Sequence, residues 1–197
     1  MLGNIYLHYA LVTSFEDQIR PRLKGRAWRM WYADDLVLGF ERRDDAERVM
    51  AVLGKRLQRF GLTLQPEKTR LVPFQRPSRT HRRGKGPGTF DLLGSTWYWK
   101  RSRKGHGVPA CKTRSSRRRR MVRSVADWCR HRHESIAAQH AALVRRLGGH
   151  FQYFGINGNV ESLAKVAYHA ERAWYKWLNR RSQRSRLKWE ATCSMSC

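Results

Sequence analysis

Tyr32-Ala33-Asp34-Asp35 is the stretch of this 197-residue chain where reactive groups are most concentrated. Two adjacent carboxylates repel each other and gain nothing from the apolar residues around them. Their natural partner is a hard divalent cation, Mg²⁺ or Mn²⁺, which takes oxygen ligands and keeps water or phosphate in its remaining positions. Two such ions about 4 Å apart can activate a hydroxyl nucleophile and neutralise a leaving pyrophosphate. An Asp-Asp pair can equally cap backbone amides in a turn, and Asp44-Asp45 reads that way.

The elements around the pair decide how it is presented. Ala27 to Phe40 is an apolar run broken only in its middle: Trp28, Met30, Trp31 and Tyr32 come before the aspartates, and Leu36, Val37, Leu38 and Phe40 follow. That pattern predicts a β-hairpin with Asp34 and Asp35 at its tip. Upstream, Met1 to Ala10 reads as a helix and Arg20 to Gly25 as a turn. Downstream, Asp44 and Glu47 have the spacing of a capping box. Ala46, Val49, Met50, Leu53, Leu57 and Phe60 form one helical stripe that Gly61 stops. Leu62–Leu64 and Thr69–Phe74 read as short strands around a Gln65–Lys68 turn. Residues 75–89 form a basic loop, Phe90–Lys100 a second hairpin around Gly94-Ser95, and residues 101–110 a further basic, glycine-containing stretch. After Arg114 the pattern is helical. One helix carries Met121, Val122, Val125, Trp128 and Cys129. A second, Ile136–Leu147, is stopped by Gly148-Gly149. A third places Val160, Leu163, Ala167, Ala170, Trp174, Trp177 and Leu178 at spacings of three and four. That last stripe suits core packing better than base stacking. The expected fold class is α+β.

Charge separates the two halves. The chain carries 41 Lys+Arg against 15 Asp+Glu, a formal balance of +26. Residues 1–75 hold 13 basic and 9 acidic side chains, and residues 76–197 hold 28 and 6. The first half has the balance of an ordinary folded segment. The second has that of a polyanion binder, and its excess of Arg over Lys suits bidentate phosphate contacts. A generic basic RNA-binding protein of ribosomal type also explains the charge, so composition leaves that reading open. No run approaches the ~20 apolar residues of a membrane span. Cys111, Cys129, Cys193 and Cys197 lack the paired spacing of a zinc site or a disulfide scaffold. Cys129, His131 and His133 alternate, and such positions diverge by about 200° on a helix. An intracellular, cytoplasmic setting is the expectation.

Several motifs in order resemble one family. Tyr32-Ala33-Asp34-Asp35 resembles the catalytic hairpin of reverse transcriptases. Gly61-Leu62-Thr63-Leu64-Gln65-Pro66-Glu67-Lys68-Thr69 is similar to the motif that follows it, and Asn4-Ile5-Tyr6-Leu7-His8 to the helix before it. Phe90-Asp91-Leu92-Leu93-Gly94 with Trp97-Tyr98-Trp99 resembles the hairpin that supports the primer. Gly148–Gly155 and Arg180–Arg186 look like the thumb, or maturase domain, of group II intron proteins. The resemblance covers roughly residues 3–190.

The resemblance implies a partial palm over 1–75, a basic loop and primer-supporting hairpin over 76–110, a helical thumb over 111–190 and an unstructured tail over 191–197. It implies RNA-directed DNA polymerase and maturase chemistry, with Asp34 a metal ligand and Asp35 its neighbour in one acidic site. Tyr32 and Ala33 would lie near the primer end or nucleotide, and Lys68 near the phosphates. Arg117, Arg118, Arg119, Arg120, Arg123, Arg145, Arg146, Arg180, Arg181, Arg184 and Arg186 would grip intron RNA and the template–primer. The third carboxylate of such a site lies, in family order, on a strand ahead of residue 1, and Glu16 and Asp17 do not take its place. The expectation is therefore an N-terminally truncated chain that binds RNA without polymerising alone, a missing N-terminal fragment being a candidate partner.

Overall fold

The computed structural model describes residues 6, 9, 13, 15–32, 35–77 and 88–180. The architecture is mixed α+β, and the chain divides into two units, Met1–Pro73 and Phe74–Cys197.

In the first unit, Ala27–Tyr32 (β1) pairs antiparallel with Asp35–Phe40 (β2), from Ala27 opposite Phe40 to Tyr32 opposite Asp35. Because side chains alternate across a strand, Trp31, Leu36, Leu38 and Phe40 share one face. That face meets Phe15 and Ile19 of the π-helical segment Phe15–Ile19 and Leu53 of the following helix. The helix, α1, spans Arg43–Gln58 and buries Ala46, Val49, Leu53 and Leu57, the core of the expected stripe. Gly61 takes φ +66°, a left-handed stop that costs glycine nothing.

Two expectations for this unit fail. Asp44 is not the cap: the helix starts at Arg43, with Arg42 at the N-cap and no side-chain cap bond. Both aspartates lie in the first turn, where the helix dipole favours negative charge. Leu62–Leu64 and Thr69–Phe74 form no strand among the described residues, since neither finds a partner ladder. The turn between them is present, with the Lys68 and Thr69 amides both donating to the Gln65 carbonyl.

In the second unit, Phe90–Leu92 (β3), Ser95–Arg101 (β4) and Gly107–Thr113 (β5) form an antiparallel sheet in that order. Leu93 and Gly94, both at positive φ (50° and 78°), make the two-residue turn between β3 and β4. The stretch 101–110, expected as loop, instead contributes the start of β5. Three helices follow: α2 (Ser115–Arg130), α3 (Ile136–Phe154) and α4 (Val160–Asn179). Gly148-Gly149 does not stop α3. Leu143, Leu147, His150 and Phe154 recur at spacings of four, three and four, so the half-buried and buried face continues past the glycines. Packing outweighs the roughly 1 kcal/mol that each mid-helix glycine costs.

The core joins Val125 and Cys129 of α2, Leu143 of α3, and Ala170, Trp174 and Leu178 of α4. Trp174 is 2% exposed, as core packing requires of the aromatic stripe, but Val160 at its start is 72% exposed. The buried Trp174 indole donates to Gln139 Oε1 at 3.2 Å, and Gln139 Nε2 donates to the Glu134 carbonyl at 2.6 Å. A second buried polar group fastens helix to sheet. Asn159 Oδ1 accepts from the Thr113 amide, and its Nδ2 donates to Thr113 Oγ1 and to the Phe154 carbonyl, each at 2.8 Å. The end of β5, the end of α3 and the start of α4 therefore meet at one side chain. Among the described residues, no helix is long and apolar enough to cross a membrane.

Candidate functional site

The hairpin that should present the aspartates forms, and its two strands are separated by two residues. Those two, Ala33 and Asp34, lie outside the described residues. Asp35 opens β2 directly across from Tyr32, and both are exposed. Tyr32 is 62% exposed, and Trp28 and Met30 of the same face are also exposed. One face of the hairpin is thus packed against α1, and the opposite face carries Asp35 and Tyr32 to solvent.

Ion pairs set the stance of this unit. Glu16 accepts from Arg20 at 2.6 Å and from Arg29 at 2.7 Å, and those two guanidiniums hold its carboxyl below the ordinary range. Glu41, at the foot of the hairpin, is held low by Arg26, through both its side chain and its amide. Asp45, 1% exposed, accepts from the Lys24 and Gly25 amides at 3.1 and 2.9 Å and from Arg48. Burial alone would raise the Asp45 pKa, but the Gly25 and Lys24 amides and the Arg48 charge outweigh it and lower it. Asp44-Asp45 thus supplies an amide cap, yet for a segment twenty residues upstream. Asp35 faces Tyr32 across the ladder, and Lys68 is exposed in the Gln65–Lys68 turn.

An exposed carboxylate such as Asp35 suits a divalent ion that keeps most of its waters. The described residues hold no group of three or more His, Cys, Asp or Glu side chains placed to cage a metal. Cys129, which alternates with His131 and His133 along the chain, is buried in the core beside Val125.

The basic residues of the second unit lie mostly at its surface. Arg117, Arg119, Arg120 and Arg123 are exposed along α2, and Arg118 is half-buried. Arg145 and Arg146 are exposed on α3, and Arg146 also donates to Ser124 Oγ of α2 at 2.6 Å. Arg180 is exposed at the end of α4. Arg181, Arg184 and Arg186 lie outside the described residues, as does the expected tail 191–197. Sequence reasoning passed over Arg130 and Lys176. Their guanidinium and ammonium groups lie 5.8 and 5.9 Å from the centre of the Trp177 ring, and Arg180 lies 5.2 Å from it. Arg132 stands likewise over Trp128 at 5.1 Å. The available signal was Lys176-Trp177 followed by Arg180, two cations four residues apart bracketing an aromatic on one helix turn.

No family model matches the chain, and no curated protein or solved structure does either.

Proposed function

We propose that this chain is an RNA-binding protein of the group II intron reverse transcriptase/maturase type, with its second unit acting as a thumb-like grip on structured intron RNA. The observation that carries the reading is the surface of that unit. Arginines of α2, α3 and α4 stand exposed on a helical core, and the acidic side chains there are few. Such a surface neutralises phosphates and releases their counterions, the sequence-independent part of an RNA grip. Its arginines can also pair bidentately with phosphate or stack on unpaired bases.

A second reading, RNA-directed DNA polymerase activity supported by Mg²⁺ or Mn²⁺, is favoured by the hairpin itself. Tyr32 and Asp35 share its solvent-facing side, where a nucleic acid could reach them. In this reading Asp34 and Asp35 hold the ion, which would supply charge neutralisation at the phosphates when bound. Tyr32 and Ala33 border the primer end, and Lys68 sits beside the phosphates. On this reading the first unit would be a partial palm.

Splicing of a group II intron transcript at limiting Mg²⁺ tests the first reading. The protein should accelerate it in proportion to occupancy, whereas an unrelated basic protein of similar charge should not. No acceleration despite saturating binding would contradict the maturase assignment. Primer extension tests the second: Mg²⁺-dependent synthesis abolished by Asp34→Ala would establish polymerisation in this chain, and its absence would confine the function to RNA binding.

A further inference from the structure

We propose that the cleft between the C-terminal ends of α2 and α4 is a single-strand RNA site, in which a phosphodiester is held by Arg130, Arg180 and Lys176 while an unpaired base stacks against Trp177. This deepens the RNA-binding reading and rests on it. The cleft is open, has a volume of about 650 Å³, and is lined by Arg130, Arg172, Lys176 and Trp177, with Asp127 as its acidic member; Arg180 is not one of its lining residues and joins it through its contact with Trp177. The three cations around Trp177 come from two different helices and lie within 6 Å of one ring centre.

Ordinary folding explains part of this. Cations in the last turn of a helix are favoured by its dipole, and each contact with an indole is worth about 0.5–1 kcal/mol at an exposed site. Neither effect calls for three like charges around the same ring. Like charges held this near one ring cost mutual repulsion, which a bound anion relieves. None of Arg130, Lys176 and Arg180 has a carboxylate partner among the described residues. Asp127 also borders the neighbouring cleft of Trp128, His131, Arg132 and Arg146.

Trp177 itself is only half-buried, unlike Trp174 one helix step earlier, which is sealed in the core. A base that stacked on this half-buried tryptophan would take the place of a cation now over its ring, and stacking of that kind is open only to unpaired nucleotides. This points to a single strand and not a duplex, the strand being RNA on the reading proposed above.

The test uses the full chain and a single-stranded uridine oligonucleotide carrying 5-iodouridine. Irradiation of the wild-type complex should cross-link the peptide that contains Trp177, a readout that needs no variant. Arg130→Gln/Arg180→Gln should weaken binding about tenfold more than the charge-matched Arg101→Gln/Arg103→Gln. It should also flatten the plot of log K against log[salt] by about 0.7 for each phosphate that is no longer neutralised. Arg101 and Arg103 are exposed at the end of β4 and in the loop after it, and neither lines the cleft. Equal loss in the two double variants, or cross-links confined to other peptides, would overturn the cleft assignment and leave RNA binding standing. No binding of the oligonucleotide or of intron RNA by the wild-type chain would remove both.

Discussion

Replacing Asn159 by alanine should destabilise the second unit by about 2–4 kcal/mol, because this side chain is the shared partner of three elements. Asn159 is 2% exposed, as is Thr113, whose amide and hydroxyl it pairs. Its loss leaves the buried Thr113 N–H without that acceptor, at a cost of about 1–3 kcal/mol. The Thr113 hydroxyl loses its donor, and a small cavity adds to the total. The Phe154 carbonyl suffers least, since the Ile156 amide also donates to it at 2.8 Å. With a urea slope of about 1–3 kcal/mol/M, the midpoint should fall by roughly 1–2 M. Far-ultraviolet circular dichroism and tryptophan fluorescence would follow the transition. Asn157→Ala, an exposed change in the same turn, should stay within about 0.5 kcal/mol. Thr113→Val in both backgrounds should reveal a coupling of about 0.5–3 kcal/mol. An Asn159→Ala midpoint indistinguishable from that of Asn157→Ala would refute the idea that this buried amide ties sheet to helices.

Other expectations concern the turns and the titrating groups. Gly94→Ala should cost about 1–2 kcal/mol by thermal melting, since φ is +78° and the new Cβ would lie 3.4 Å from Phe154 Cζ. Leu93→Asn should instead stabilise the same turn, as asparagine tolerates the left-handed region that leucine occupies there at φ 50°. Asp45 is titrated below its ordinary value of 3.8, so its stabilisation is full above that pH and is lost as pH falls through the lowered value. Asp45→Asn should therefore flatten the acid limb of first-unit stability while lowering stability at neutral pH, as measured by urea unfolding across pH. Burial lowers the His150 pKa from 6.5, and Nε2 has no hydrogen-bond partner among the described residues, so the fold favours the neutral ring. Second-unit stability should decline as pH drops below about 6.5, and His150→Phe should remove that dependence.

Local patterns were legible wherever they needed no distant partner. The hairpin around Asp34-Asp35, the stripe of α1 and the helical character beyond Arg114 follow from alternation and 3.6-residue spacing. Failures came where tertiary contacts decide. The strand at Gly107–Thr113 is masked by a basic, glycine-containing context and by Pro109, and it exists because β4 offers a seven-residue ladder. The glycines at 148 and 149 looked like a stop, yet His150 and Phe154 carry the buried face onward. Leu62–Leu64 has strand propensity without a neighbour. Asp45 found amides at Lys24 and Gly25, a pairing that no local window contains. In the candidate site, the aspartates were visible as a dipeptide. The grouping of Arg130 with Lys176 and Arg180 was not, because α2 and α4 are distant in sequence and are brought together by a shared core that includes Val125, Cys129, Ala170 and Trp174.

The most direct measurement is RNA binding across a salt series, comparing a structured group II intron with an unrelated RNA of equal length. A maturase-type grip that reads RNA shape should keep its preference for the intron as salt rises from about 0.1 to about 0.5 M, while the unrelated RNA is released. Equal affinities that collapse together with log[salt] would contradict it and leave the charge of the second unit as a non-specific polyanion surface.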